Sequence, residues 1–314
     1  EWKWDGIRGQ IIRRNGQLFV WSRGEELMTE KFPELALLQQ RLPEGIALDG
    51  EIICLSPDRS DAVDFLPLPF AVLQTRIGRK NISKKQLTEA PVSFIAYDLL
   101  EYEAEDFREH PQSERRAKLE ELVKNIQLPV LRLSPLIPFH EWNDLAGIRT
   151  KSRETGSEGL MLKRKEAVYQ TGRKRGDWWK WKIDPLVIDA VMVYAQKGHG
   201  RRSNLYTDYT FAVRNGDQLV TFTKAYSGLT DKEFNEVDYF VKRNSLEKFG
   251  PVRTVKPELV FEIAFEGIAG SKRHKSGVAL RFPRINRWRK DKTPDEINTL
   301  EDLQQMLKLY GKGN

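Results

Sequence analysis

Glu1-Trp2-Lys3-Trp4-Asp5-Gly6-Ile7-Arg8 opens the chain, and the fold is read outward from its Lys-x-Asp-Gly-x-Arg spacing. Further elements follow in a fixed order. Ser22-Arg23-Gly24 ends one strand-like run, Leu48-Asp49-Gly50-Glu51 opens another, and Phe94-Ile95-Ala96-Tyr97-Asp98-Leu99-Leu100 comes next. Ser157-Glu158-Gly159-Leu160-Met161-Leu162-Lys163 precedes Trp178-Trp179-Lys180-Trp181-Lys182. The last element is Arg281-Phe282-Pro283-Arg284-Ile285-Asn286-Arg287-Trp288-Arg289-Lys290-Asp291-Lys292. Each element alone is short; the ordered series is specific.

Around these elements lie 314 residues, enough for two separate cores. Lys and Arg number 52 against 45 Asp and Glu, a net charge of +7, and the sequence pI is about 9.3. That balance tilts toward a polyanionic partner such as nucleic acid. A hydrophobic fraction of 39% and a mean hydropathy of −0.57 suit a folded soluble chain rather than a disordered one. The single cysteine, Cys54, excludes disulfides within the chain and multi-cysteine zinc modules, and in Ile52-Ile53-Cys54-Leu55 it reads as a buried thiol. His110, His140, His199 and His274 show no metal-ligand spacing. No apolar stretch approaches the roughly 18 residues of a membrane span, and no signal-peptide pattern is present. The protein is expected to be soluble and cytoplasmic. Because it starts with glutamate rather than methionine, it is expected to be a piece of a longer chain.

Apolar strand-like runs cover residues 9–20, 46–55 and 91–97. Leu119, Leu122, Val123 and Ile126 recur at helical spacing, which predicts a helix over 113–126 with Ser113 as its N-cap. A second organisation begins near Pro185, after the tryptophan-lysine stretch at 178–183. Residues 187–194 form a strand. Tyr209-Thr210-Phe211-Ala212-Val213 and Leu219-Val220-Thr221-Phe222-Thr223 flank Arg214-Asn215-Gly216-Asp217, a strong hairpin signal. Thr230 caps a helix bearing Phe234, Val237, Phe240 and Val241. A strand at 258–265 and a helix at 299–310, stopped by Gly311, complete a small β-barrel of the OB type.

The ordered series resembles the motifs of the covalent nucleotidyltransferases, and most closely those of the ATP-dependent DNA ligases, from Glu1 to about Lys292. Arg273-His274-Lys275-Ser276-Gly277-Val278-Ala279-Leu280, running into Arg281-Phe282-Pro283-Arg284, is similar to the DNA ligase form, as is Lys31-Phe32-Pro33-Glu34. Residues 194–209, with Gly198-His199-Gly200-Arg201-Arg202-Ser203, resemble one bacterial branch. NAD-dependent ligases carry a four-cysteine zinc module that one cysteine cannot build. The resemblance implies an α+β adenylation domain (nucleotidyltransferase, ATP-grasp-like) over 1–184 and a β-barrel OB-fold domain over 187–314. It implies nick sealing in duplex DNA through lysyl-AMP and a 5′-adenylated DNA end. The alternatives are an RNA ligase or capping-type nucleotidyltransferase, and a non-catalytic nick-binding protein.

The sequence contains no Gly-x-x-x-x-Gly-Lys-Ser/Thr loop, so side-chain cations must hold the phosphates of ATP. A lysine attacks phosphorus only as the neutral amine, which nearby positive charge favours. Lys180, Lys182 and a bound Mg²⁺ (or Mn²⁺) would supply that charge. By resemblance Lys3 is the nucleophile, Glu1 the acid that reads adenine, and Tyr97 the ring that stacks on it. Arg8 and Arg23 would hold the sugar and the 5′-phosphate of the nick. Glu51 and Glu158 would be Mg²⁺ ligands or ribose acceptors. Lys180 and Lys182 alternate with Trp179 and Trp181, so on a strand both lysines face one side with the tryptophans packed behind. Of Arg173, Lys174 and Arg175, Arg175 is favoured for nucleotide contact. Arg284, Arg287, Asp291 and Lys292 match the element that reaches the β- and γ-phosphates when the second domain closes about a hinge near Asp184-Pro185. Lys197, Arg201, Arg202, Lys272, Arg273 and Lys275 are expected on the DNA backbone. The expected partner is nicked double-stranded DNA, bound by a monomer with an upstream DNA-binding domain outside this chain.

Overall fold

The opening motif spans two strands, β1 (Trp2–Trp4) and β2 (Ile7–Arg14), in a computed structural model that describes all residues except 60–64, 173, 199–202 and 312–314. β2 turns straight back into β3 (Gln17–Ser22) through Asn15 and Gly16, at φ 53° and 72°. The single strand expected over 9–20 is therefore a hairpin. Asn-Gly reaches positive φ at both positions at little cost, in the turn whose twist matches the flanking strands.

β4 (Ile46–Cys54), α1 (Phe70–Ile77), α2 (Lys84–Glu89), β5 (Val92–Tyr102), β6 (Glu105–Asp106), α3 (Gln112–Ile126) and β7 (Leu131–Leu133) follow. They complete a six-stranded sheet ordered β3-β2-β4-β5-β6, with β7 parallel to β5. Pro111, not Ser113, stands at the N-cap of α3, its preset φ leading the chain into the helix. After α4 (Trp142–Thr150), strands β8 (Ser157–Lys163) and β9 (Trp178–Lys182) join β1 in a small antiparallel sheet ordered β1-β8-β9.

β4 and β5 are buried on both faces. Leu48, Ile52 and Cys54 of β4 and Phe94 of β5 join Leu35, Leu73 and Leu119 in the main core. Ile53, Leu55 and Ile95 turn the other way and pack with Trp4. Side chains alternate along a strand, so Asp49 and Glu51 share the face of Ile53 and point toward the small sheet. Burial pushes the Cys54 thiol up to about 12, in keeping with a structural role.

The first compact unit ends at Ile183 and a second begins at Asp184. In it β10 (Leu186–Lys197), β11 (Tyr206–Asn215) and β12 (Gln218–Ala225) run as a meander. Asn215 pairs with Gln218, so the tight turn is Gly216-Asp217 with only Gly216 at positive φ, one residue on from the Asn-Gly reading. α5 (Asp231–Asn244), β13 (Ser245–Phe249), β14 (Val252–Val255), β15 (Val260–Phe265), β16 (Gly267–Gly270), β17 (Val278–Arg281), β18 (Arg284–Trp288) and α6 (Leu300–Tyr310) follow. Along one edge β10 pairs first with β15 and then with β14, while β11 lies on the other edge. A bulge at Val193 in β10, and another at Thr207 in β11, add the local twist this needs. Ile188, Ala190 and Met192 point into a core with Phe211, Phe222 and Phe261. Thr230 caps α5 in a capping box with Glu233, and Phe234, Val237 and Val241 are buried as expected. Among the described residues no helix is long and apolar enough to cross a membrane.

One close approach fixes the small sheet. Gly159 has φ 143°, and a Cβ there would lie 2.3 Å from the Trp181 carbonyl oxygen. Gly147 in α4 has open space around its would-be Cβ. In denaturant titrations Gly159→Ala should destabilise the chain by about 2–3 kcal/mol, from strain and backbone clash. Gly147→Ala should be neutral or stabilising by up to about 1 kcal/mol.

Candidate active site

In the ladder between β1 and β8, Trp2 stands opposite Leu160 and Trp4 opposite Ser157, which brings Lys3 beside Glu158. The Lys3 ammonium donates to Glu158 Oε2, and Lys182 Nζ, delivered by β9, lies 3.6 Å from the same oxygen. Across the cleft within this unit, Arg8 on β2 is in register with Glu51 on β4. The Glu51 carboxyl is pushed up to about 8, chiefly by burial. Lys3 works against that shift, and the negative charges of Asp49, Glu158 and Asp5 reinforce it. The Lys180 ammonium is lowered by burial and by the positive charges of Lys3, Arg23 and Arg8. Four cations therefore feel one another around two carboxylates, an arrangement that an incoming anion relieves.

Behind Arg8 lies a residue to which the motif reading assigned no role. Asp49 has no solvent exposure. It accepts from Arg8 Nε at 3.2 Å and Nη2 at 2.6 Å, from the Tyr169 hydroxyl at 2.9 Å and from the Tyr97 hydroxyl at 3.4 Å. At the other end Glu1 is not an exposed first residue. Its carboxylate accepts from Lys163 Nζ at 2.9 Å and lies 3.5 Å from Arg116. Lys163 also donates to the Tyr97 carbonyl at 3.1 Å and lies 4.7 and 4.5 Å from the ring centres of Tyr97 and Trp178. Glu1, Tyr97, Lys163 and Trp178 thus form one aromatic and charged corner. Neither Lys163 nor Trp178 was singled out from sequence, although both stand inside quoted motifs.

Not every expected residue joins this centre. Lys180 and Lys182 do share a face, but the residue beside them there is Trp178. Trp179 and Trp181 do not form a packed layer behind. Trp179 is 49% exposed, and Trp181 lies under the Arg149 guanidinium of α4 at 5.2 Å. Arg23 is exposed, and its backbone N–H donates to the Arg8 carbonyl at 3.1 Å. Arg175 is exposed on the loop before β9 and makes no hydrogen bond or ion pair with the other site residues among those described; Arg173 lies outside the described residues. Glu51 and Glu158 supply hard oxygens that influence each other, and among the described residues no group of three or more His, Cys, Asp or Glu side chains converges as a metal site. Two carboxylates fit a Mg²⁺ that keeps several waters and takes substrate oxygens, not a closed protein cage.

In the second unit the last motif is already paired. Arg284 meets Glu266 at 3.0 Å, Arg287 meets Glu262 at 3.0 Å, and Lys292 meets Asp189 at 2.7 Å. Arg289, passed over in the sequence, is 13% exposed and joins Asp189 at 2.9 Å and Asp291 at 2.7 Å. Its bonds hold the Asp291 carboxyl down to about 2. Lys197, Lys272, Arg273 and Lys275 are exposed; Arg201 and Arg202 lie outside the described residues.

The family model for the ATP dependent DNA ligase domain matches residues 1–182, and that for the ATP dependent DNA ligase C terminal region matches 202–292. This chain belongs to the ATP-dependent DNA ligase family. Its relatives include the "Probable DNA ligase" of Opitutus terrae, 37% identical over 100% of this chain and 33% of that protein. The "Probable DNA ligase" of Koribacter versatilis is 35% identical over 98% of this chain and 56% of its own length. The chain thus spans a third to about half of the relatives it matches. A solved structure of a Lig E DNA ligase shares the fold with a TM-score of 0.58, at 19% identity over 92% of this chain and 91% of that one. Adenylation domain and C-terminal OB-fold are the two parts of the fold class expected from the sequence.

Glu51 gives the site a pH signature. Its folded value near 8 lies above the ordinary glutamate range, so between the two the folded state keeps a proton that the unfolded chain has released. Stability from this group is present at low pH and is lost as pH rises from about 5 through 8. Without divalent cations, the carboxyl carbon resonance of Glu51 should titrate near 8, and Glu51→Gln should flatten the stability profile over that window.

Proposed function

We propose that this chain is the catalytic core of an ATP-dependent DNA ligase that seals nicks in duplex DNA. The observation that carries this reading is a lysine, Lys3, held against Glu158 amid Lys180, Lys182, Arg8 and Arg23, on the motif that the family places at its nucleophile. Lys3 Nζ, as the free amine, attacks the α-phosphorus of ATP; a P–N bond forms, the bond to the bridging oxygen breaks, and pyrophosphate leaves. Glu158, which accepts from Lys3, would also hold a divalent cation, whose charge would favour the neutral amine over the ammonium. Lys180 and Lys182 would neutralise charge on the α-phosphate as it develops. Mg²⁺ held by Glu51 and Glu158 would add to that neutralisation. AMP then passes to the 5′-phosphate at a nick, and the 3′-hydroxyl displaces AMP to close the strand. Each displacement depends on positioning and charge more than on proton chemistry. Glu1 and Tyr97 would read and stack on adenine, and Arg284, Arg287, Asp291 and Lys292 would meet the β- and γ-phosphates. Arg175, exposed on its loop, has the least structural support of the nucleotide-binding set.

Incubation with α-labelled ATP and Mg²⁺ should give a labelled band on denaturing electrophoresis, and Lys3→Ala should abolish it. GTP should not label, and nicked DNA, not nicked RNA, should discharge the adduct. A band that survives Lys3→Ala, or none after pyrophosphate pretreatment, would end this reading. Binding to nicked DNA should weaken with salt. Lys272→Ala and Arg273→Ala should each make the log–log slope shallower by about 1 if each contacts one phosphate.

A further inference from the structure

Arg8 is open to solvent, with 41% of its side chain exposed, yet its guanidinium makes three hydrogen bonds. Nη2 donates both to Asp49 Oδ2 at 2.6 Å and to the Tyr169 hydroxyl at 2.9 Å, while Nε donates to Asp49 Oδ1. The Tyr169 hydroxyl in turn donates to Asp49 Oδ2 at 2.9 Å. The three groups close a ring of hydrogen bonds that uses both Nη2 protons. We propose that Tyr169 is a positioning residue for Arg8, fixing the plane of the guanidinium that faces nucleotide or DNA phosphate; this rests on the ligase reading above.

The surroundings of Tyr169 are built for that task. It sits on the loop between β8 and β9, 161 residues from Arg8 in sequence. Its backbone N–H donates to the Arg108 carbonyl at 2.8 Å. Two residues earlier, the Ala167 carbonyl accepts from Gln112 N at 2.9 Å and from Arg115 Nη1 at 3.1 Å. Arg115 is fully buried in a bidentate pair with Asp98, at 2.7 and 2.9 Å, and its guanidinium carbon lies 5.9 Å from the Tyr169 ring centre. Trp178 meets that ring edge-on at 6.3 Å. Ring and backbone are thus held by α3, by its preceding turn and by β9, so the hydroxyl has a set place at Asp49. A bidentate carboxylate alone leaves a guanidinium free to swing with its partner; a second acceptor on Nη2, anchored to another element, removes that freedom. Burial and the Asp49 charge push the Tyr169 hydroxyl upward, so it keeps the proton it donates.

Lysyl-AMP formation from α-labelled ATP, and AMP transfer from the preformed adduct to nicked duplex DNA, would be timed in single turnovers. The proteins are the 314-residue chain, Tyr169→Phe, Arg8→Lys and the double variant. Phenylalanine keeps the ring contacts with Trp178 and Arg115. Tyr169→Phe should slow the step that Arg8→Lys slows, by about tenfold, and add no further loss in the double variant, because it acts through Arg8. An equal loss in both backgrounds, or none in either, overturns the proposal. A second readout needs no turnover. The Arg8 Nε–H resonance, assigned by its absence in Arg8→Lys, should exchange with solvent about tenfold faster in Tyr169→Phe. Unchanged exchange overturns the proposal, whereas no lysyl-AMP from the wild-type chain together with faster exchange in Tyr169→Phe overturns only the ligase reading.

Discussion

A carboxylate with no exposure to water must be met by donors or give up its charge, and Asp49 imposes that requirement on the whole first unit. It lies on β4 two residues before Glu51, on the face turned to the small sheet. Arg8 comes to it from β2, Tyr97 from β5, and Tyr169 from the loop before β9. Four separate parts of the chain are thereby drawn to one point. The same point separates two kinds of charge. Arg8 is committed to Asp49, whereas Lys3 and Lys182 share Glu158, and Glu51 is left without an ion pair strong enough to offset its burial. An acid in that condition either holds a proton or waits for a cation.

The framework around this point is held by further buried pairs that do no chemistry. Arg115 and Asp98 are both fully buried, and Arg76 is bound to Glu34 and to the Ala90 carbonyl. Removing one partner of such a pair typically costs about 3–5 kcal/mol, because the other charge is stranded. Arg115 ties α3 to β5 one residue from Tyr97, and Arg76 ties α1 to the segment before β4.

Local rules carried much of this in the sequence. Alternation placed Lys180 and Lys182 on one face, the Thr230 cap and the Gly311 stop marked two helices, and the ordered motifs brought Lys3, Glu51 and Glu158 into one centre. What escaped was set by partners distant in the chain. Nothing near Asp49 announces Arg8, 41 residues away, or Tyr169, 120 residues away. Asn15-Gly16 was overlooked because the apolar run on either side outweighed it, although the same turn chemistry was used at Gly216. Arg289, between an aromatic and a lysine, was given no role, and only Asp189 on β10 shows what holds it largely out of solvent. The tryptophans of β9 were assigned by alternation alone, which gives the face but not whether a layer covers it.

The second unit applies the same logic to a different end. Its last motif is rich in cations, yet Arg284, Arg287, Arg289 and Lys292 each lie against Glu266, Glu262 or Asp189. Under the proposed role, a phosphate reaching this strand gains no free charge; it trades places with a carboxylate. The gain from one exchange is the small difference between two charge-assisted bonds, partly screened at an exposed edge. A single phosphate would therefore be held weakly, whereas a group that replaces several carboxylates at once sums the differences. That favours the tail of a triphosphate over an isolated anion, and lets the strand release the same tail once it has left as pyrophosphate. The net charge of +7 is thus a poor guide to where anions bind, because most of the cations that matter are paired before any ligand arrives.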